Sequence, residues 1–207
     1  MADLEQKPKQ GASRRDFLRG SGIAAATAVI TGPAVAALDE AKAAEPEFKI
    51  VADTTTLKLK VNGEDRSCEI EPRCTLLDTL RNRLDVTGPK RVCDRASCGA
   101  CTVILDGLPV YSCTTLAITC GGKKVETVES LDAGANGIPH AFVQNDGSMC
   151  GYCTPGFVTA CKALLDTNPN PTIDEVRKGV DGNICRCGTY VGVLQAALAA
   201  AKSMKGA

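Results

Sequence analysis

Three cysteines fall within nine residues: Cys93, Cys98 and Cys101, in the run Val92-Cys93-Asp94-Arg95-Ala96-Ser97-Cys98-Gly99-Ala100-Cys101. Thiolates at C-x4-C-x2-C spacing can hold three positions of a 2Fe-2S cluster, and a fourth thiolate completes it. A hairpin can deliver the fourth. Thr102–Leu105 reads as a strand, Asp106-Gly107 tolerates the positive φ of a two-residue turn, and Leu108–Ser112 runs back. In that register Leu105 opposes Leu108, and Cys113 returns beside Ala100 and Cys101. Gly99 suits a loop whose N–H groups come close to cluster sulfur. Four-thiolate zinc or disulfides could use the same residues, but the x4 gap and the returning hairpin favour iron–sulfur.

A second constellation follows, Cys150-Gly151-Tyr152-Cys153 and Cys185-Arg186-Cys187. C-x2-C can present two sulfurs from one turn. C-x-C cannot do so on a regular helix, where i and i+2 diverge, or on a strand, where they lie far apart. Cys185 and Cys187 therefore require a bent loop, which Asn183 and Gly188 flank. Each pair stands just before an expected helix start, where the N-terminus favours thiolate over thiol. Zinc is again the alternative, though C-x-C is the less usual spacing for it. A Rieske centre needs two histidines, and the chain has only His140.

The surrounding pattern gives the elements that must position these thiols. Leu57, Leu59 and Val61 alternate with lysines as a half-buried strand. Asn62-Gly63 turns it, and Arg66–Ile70 returns. Thr75 and Asp78 form a capping pattern that opens a helix to Leu84, with Leu76, Leu77, Leu80 and Leu84 on one face. After Cys113, Gly121-Gly122 leads into a last strand, Val125–Val128. Beyond a connector at 132–139 the pattern turns helical. Ile138–Asn145 is a short helix. A second helix opens with Thr154 as N-cap and Pro155 at N1, and carries Phe157, Val158, Cys161, Leu164 and Leu165 on one side. The third has a Thr172/Glu175 capping box and runs to Val180, and the fourth is Tyr190–Ser203. The fold class is α+β: a ferredoxin-like β-grasp over 55–129 and a helical domain over 130–207.

The N-terminal 36 residues read as an address. Ser13-Arg14-Arg15-Asp16-Phe17-Leu18-Arg19 precedes an uncharged run, Gly22–Leu38, and Ala34-Val35-Ala36 is a cleavage candidate. The order resembles a twin-arginine signal, which exports folded, cofactor-loaded proteins to the periplasm. The run is too short and too rich in Ala and Gly to span a membrane. Residues 37–54 read as linker. The chain of 207 residues carries 24 basic and 24 acidic side chains, so nothing points to nucleic acid. Of the twelve cysteines, Cys161 falls at core spacing, and Cys68, Cys74 and Cys120 have no partner at ligand spacing. His140 reads as a surface or capping residue.

Taken together, the C-x4-C-G-A-C, C-G-Y-C-T-P-G and G-N-I-C-R-C motifs resemble the two-cluster iron–sulfur subunit of the molybdenum hydroxylases, the xanthine dehydrogenase and aldehyde oxidoreductase family. The resemblance covers about residues 55–203. It implies two 2Fe-2S clusters, one on Cys93, Cys98, Cys101 and Cys113, the other on Cys150, Cys153, Cys185 and Cys187. It implies a β-grasp domain followed by a four-helix domain, and no catalytic site on this chain. It implies a partner, a large subunit holding a molybdenum-pterin cofactor, with a flavin subunit or a cytochrome-type acceptor as the next carrier. Met149 stands where relatives usually have a pterin-contacting Gln, and a thioether offers no N–H donor. Ala96 and Ser97 stand where relatives often have Gly. The resulting expectation is an electron-transfer subunit of an exported oxidoreductase. The alternatives are a stand-alone two-cluster carrier and a zinc-stabilised structural protein.

Overall fold

Alternation of large apolar residues with lysines builds the first strand, β1 (Thr55–Val61), with Leu57, Leu59 and Val61 buried and Lys58 and Lys60 exposed. The computed structural model describes residues 53–131, 134 and 137–204; the signal-like segment and nearly all of the linker lie outside them. β1 turns at Asn62-Gly63, both at positive φ, into β2 (Glu64–Ile70). The return strand starts two residues before the expected Arg66, because the tight turn lets Glu64 pair directly with Val61. Asn62 also pins a distant segment: its side-chain oxygen accepts from Thr127 N at 2.8 Å and its amide donates to Thr127 Oγ1 at 2.9 Å.

Helix α1 (Leu76–Arg83) starts as its sequence requires, with Thr75 Oγ1 accepting from Asp78 N. Two of its first N–H groups, which have no partner inside the helix, donate to Thr115 O (Leu76) and Ser112 O (Leu77). That docking fixes the segment around Cys113 against the helix start. Leu76, Leu80 and Leu84 pack onto Leu57, Leu59, Val61, Ile70, Val103 and Val125 to form one core.

The hairpin β3 (Thr102–Leu105) and β4 (Leu108–Tyr111) has the expected register, Leu105 opposite Leu108 and Thr102 opposite Tyr111. β5 (Lys124–Glu126) is shorter than the expected Val125–Val128, because Val128 already begins a 3-10 turn, Val128–Ser130. The five strands lie in the order β2-β1-β5-β3-β4, with β1 and β5 parallel and the other pairs antiparallel.

Four helices follow: α2 (Ile138–Gln144), α3 (Thr154–Thr167), α4 (Ile173–Gly179) and α5 (Tyr190–Ser203). α4 has the full capping box between Thr172 and Glu175. α3 departs from expectation by one position. Cys153 occupies the N-cap and Thr154 is already helical; the Thr154 hydroxyl donates to Ser148 Oγ at 3.0 Å instead of capping. Phe157, Val158, Cys161 and Leu165 join Phe142, Val176, Val193 and the alanines of α5 in a second core. The Phe157 ring meets Tyr190 edge-on at 6.1 Å between centroids. α3 is buried on more than the expected face, since Gly156, Thr159, Ala160 and Ala163 are buried as well; it packs against β3 and β4 in addition to the other helices.

The loop between α1 and β3 holds three non-glycine residues in the left-handed region, Asp85, Asp94 and Ala96, each at φ 55°. Left-handed backbone costs an L-residue about 1–2 kcal/mol, partly offset at Ala96 by about 0.4–1 kcal/mol of lower unfolded-chain entropy relative to Gly. Ala96→Gly is therefore expected to stabilise the protein by about 0.5–1 kcal/mol. The gain is read as a rise in the urea midpoint at unchanged slope; a fall in the midpoint would contradict it.

Candidate metal centres

The first quartet is assembled from two segments. The loop before β3 brings Cys93, Cys98 and Cys101, and the end of β4 brings Cys113. Lys90 N donates to Ala100 O at 2.9 Å and closes the loop at its base. Cys101 O accepts from both the hydroxyl and the amide of Ser112, at 2.7 and 3.4 Å, which locks the returning strand beside the loop. Backbone amides turn toward sulfur: Ala96 N donates to Cys113 Sγ at 3.3 Å and Ser97 N to Cys93 Sγ at 3.4 Å. The left-handed turns at Asp94 and Ala96 are part of the chain path that aims these groups inward, as in an anion-binding nest. Cys101 and Cys113 are buried, and Cys93 and Cys98 half-buried.

The second quartet comes from two loops at helix starts. Cys153 is the N-cap of α3, and Cys187 precedes Thr189, the N-cap of α5, by two residues. The 185–187 stretch is irregular, as C-x-C requires, with Gly188 at φ 83° behind it. Asn183 plays a different part from the one expected: it is buried, its backbone is not left-handed, and its side chain bonds Gly99 O. Cys150 and Cys187 are exposed, Cys153 half-buried and Cys185 buried. Cys185 Sγ accepts from Thr189 Oγ1 at 3.2 Å, and Cys185 N donates to Tyr190 Oη at 2.9 Å.

The thiols approach one another in pairs: Cys93 with Cys98, Cys101 with Cys113, Cys150 with Cys187, and Cys153 with Cys185. Among the described residues no three His, Cys, Asp or Glu side chains close on a single point that one metal ion would fill. Mononuclear zinc needs four donors about 2.0–2.3 Å from one centre. A two-iron cluster shares four thiolates between two irons, so paired sulfurs with inward amides fit it better.

The protein environment shifts individual thiols of the quartets in opposite directions. Burial works to raise Cys93, but N–H donation from Arg95 and Ser97 and the contact with Cys98 outweigh it and bring it to about 7. Cys185 also falls to about 7: burial opposes ionisation, and the Thr189 hydroxyl and amide overcome it. Burial pushes Cys101 up to about 11 and Cys153 to about 12. Among the remaining thiols, Cys161 is fully buried at core spacing and pushed up to about 12 by burial, as a packing residue should be. All twelve cysteines are free, Cys68, Cys74 and Cys120 included.

The loops that carry the two quartets meet at backbone carbonyls of the first. Ile184 N donates to Cys98 O at 2.9 Å, Asn183 Nδ2 to Gly99 O at 2.9 Å, and Tyr152 Oη to Arg91 O at 3.3 Å. Tyr111 packs on Cys101 and Cys113, and its hydroxyl donates to Gly182 O at 3.0 Å. Burial, followed by the negative neighbours Asp181 and Cys101, raises the Tyr111 phenol above its ordinary range, so it stays protonated as a donor. Sequence reasoning gave Asn183 a different part and missed Tyr111 and Gly156; of the last two only the glycine carried a signal, as a small residue directly after the proline of the helix start.

Met149 is 76% exposed immediately before Cys150. His140 is exposed, and Arg186 is exposed without an ion pair among the described residues. A cavity of about 500 Å³ on the lysine-bearing sheet face is lined by Lys58, Lys60 and Lys124 and by no quartet cysteine, so the metal chemistry does not use it.

Comparison with known proteins agrees with this geometry. Residues 127–198 match the family described as 2Fe-2S binding domain. The aldehyde oxidoreductase iron-sulfur-binding subunit PaoA of Escherichia coli strain K12 is 39% identical, over 93% of this chain and 90% of that protein. The nicotine 6-hydroxylase small subunit of Paenarthrobacter nicotinovorans is 41% identical, over 71% of this chain and 90% of that protein. Among solved structures, a chain of quinoline 2-oxidoreductase from Pseudomonas putida 86 superposes with a TM-score of 0.70 at 36% identity, covering 74% of this chain and 98% of that one.

Protein purified anaerobically is expected to contain iron and acid-labile sulfide in equal amounts. Cys185→Ser should remove about half of both, leaving the Cys93 quartet loaded. Zinc without sulfide would refute the assignment.

Proposed function

Because the chain belongs to the family of iron–sulfur subunits of aldehyde oxidoreductases and related molybdenum hydroxylases, we propose that it relays electrons within such a complex, from a molybdenum-pterin site on a large subunit to an external acceptor. In this reading residues 55–129 form the β-grasp domain and 130–207 the four-helix domain. Each quartet holds one 2Fe-2S cluster, and the clusters supply one-electron redox chemistry. The substrate is oxidised on the partner, and this chain contributes no acid–base or nucleophilic group.

The contact between the two loops is the observation that carries the reading. Cys185 and Cys98 are connected through Ile184, whose N–H donates to Cys98 O, a short path from the buried side of the helical quartet to the half-buried side of the other. Exposure supports an order. Cys150 and Cys187 lie open among Met149, Tyr152, Ile184 and Val191, which are 76, 52, 52 and 69% exposed. Exposed apolar side chains gathered around a metal site suit burial by a protein partner. The helical quartet therefore faces the large subunit, with Met149 toward the pterin, and the Cys93 quartet faces the acceptor, whether a flavin subunit or a cytochrome.

The chain tagged at its C-terminus should co-purify with a molybdenum-containing large subunit. In that complex Mo(V) should couple magnetically more strongly to the reduced Cys150 quartet than to the Cys93 quartet, signals being assigned with single-cluster variants. Recovery of the chain alone, loaded with both clusters, would favour the stand-alone carrier. Stronger coupling to the Cys93 quartet would reverse the order.

Periplasmic export in the folded state completes the proposal. It rests on Arg14-Arg15 and the uncharged run after them, outside the described residues. Arg14→Lys with Arg15→Lys should leave the loaded protein in the cytoplasm on cell fractionation; unchanged export would remove this element.

A further inference from the structure

Tyr111 lies in neither quartet and matches no motif, yet it touches both loops. Its ring packs with Leu77 against Cys101 and Cys113. Its hydroxyl reaches across to Gly182 O at 3.0 Å, three residues before Cys185. The residue receiving it is shaped for the contact, since a Cβ at Gly182 would overlap the Tyr111 hydroxyl. Directly after Gly182, Asn183 and Ile184 make the two bonds to Gly99 O and Cys98 O. The bond from Tyr111 therefore anchors the first residue of the strip that joins the quartets.

We infer that Tyr111 is a positioning residue for electron transfer between the two clusters: its hydroxyl sets the 182–185 strip in register on the 98–99 turn. The inference rests on the proposed relay function. Ring packing and hydroxyl bonding are separable here. Tyr111→Phe keeps the contact with Leu77, Cys101 and Cys113 and removes only the bond to Gly182.

The test uses the full chain with both clusters in place. Tyr111→Phe should retain wild-type iron and sulfide. Loss of one hydrogen bond at the anchor should make amide exchange across residues 182–185 about three- to tenfold faster. The spin–spin splitting between the two reduced clusters should shrink. Gly182→Ala attacks the same contact from the other side and should reproduce both effects. Adding Tyr111→Phe to Gly182→Ala should relieve the steric overlap without restoring the splitting. Unchanged exchange and splitting in a fully loaded Tyr111→Phe protein would overturn the inference and leave the relay function intact. Loss of the Cys93 cluster in that variant would also overturn it, by making Tyr111 a support of the ligand loop. Absence of spin-coupled clusters in the wild-type protein would instead refute the relay function itself.

Discussion

The carbonyl of Gly99 is the point on which both metal loops depend. It accepts from Thr102 N at 3.1 Å, from Thr102 Oγ1 at 2.6 Å and from Asn183 Nδ2 at 2.9 Å. The first two bonds tighten the turn between Cys98 and Cys101. The third ties that turn to a residue 84 positions away. Buried hydrogen bonds each contribute about 0.5–1.5 kcal/mol, and a buried amide left without its partner costs more. Room for the contact comes from absent side chains. A Cβ on Gly156 would overlap Gly99 O, and one on Gly99, at φ 71°, would overlap Asn183 and the Gly182 carbonyl. The N-terminus of α3 therefore lies against the first metal loop by backbone-to-backbone approach, and Cys153, the N-cap of that helix, is positioned by the same contact.

This arrangement explains why the strained loop holds. Asp94 and Ala96 lie in the left-handed region, which the isolated chain would avoid. The loop is closed at its base by Lys90 N to Ala100 O, held beside the returning strand by Ser112, and braced by Arg91, which pairs with Asp78 on α1 and with Asp94 at 3.0 Å. Backbone strain persists where surrounding bonds over-determine it. What the strain secures is the direction of the Ala96 and Ser97 amides, which face Cys113 and Cys93. Hydrogen bonds to cluster sulfur are among the factors that set a cluster's reduction potential, so a loop held in a costly conformation would also tune the potential of a cluster held there.

What the sequence disclosed, and what it hid, follows the range of each interaction. The Asp106-Gly107 hairpin and the Asn62-Gly63 turn were legible because turn chemistry and strand alternation are local, and a two-residue turn leaves one register. The Thr172/Glu175 capping box was legible for the same reason. Thr154 was misread as an N-cap because its type and position are right for one, while Cys153 takes the cap and Ser148 takes the hydroxyl, a competition that spacing cannot reveal. Val128 was misread as strand because a β-branched residue also fits the 3-10 turn that Thr127 starts once Asn62 has captured its amide. The Gly99–Asn183 junction was invisible for a deeper reason. Its partners are far apart in the chain, and its signature is the lack of side chains, which in sequence looks like any other glycine.

Burial divides each quartet into an inner and an outer pair. Cys101 and Cys113 are buried while Cys93 and Cys98 are half-exposed; Cys153 and Cys185 lie inside while Cys150 and Cys187 are open. The pairs defined by exposure are the pairs defined by thiol contact, so each iron of a bound cluster would have a distinct surrounding. Low-dielectric surroundings disfavour added negative charge, and solvent or a polar partner favours it. The fold would thus give a cluster held by each quartet a graded surrounding before any partner is considered. The Ile184–Cys98 bond, which leads from beside an inner thiol of the helical quartet to an outer thiol of the other, joins the two gradients end to end.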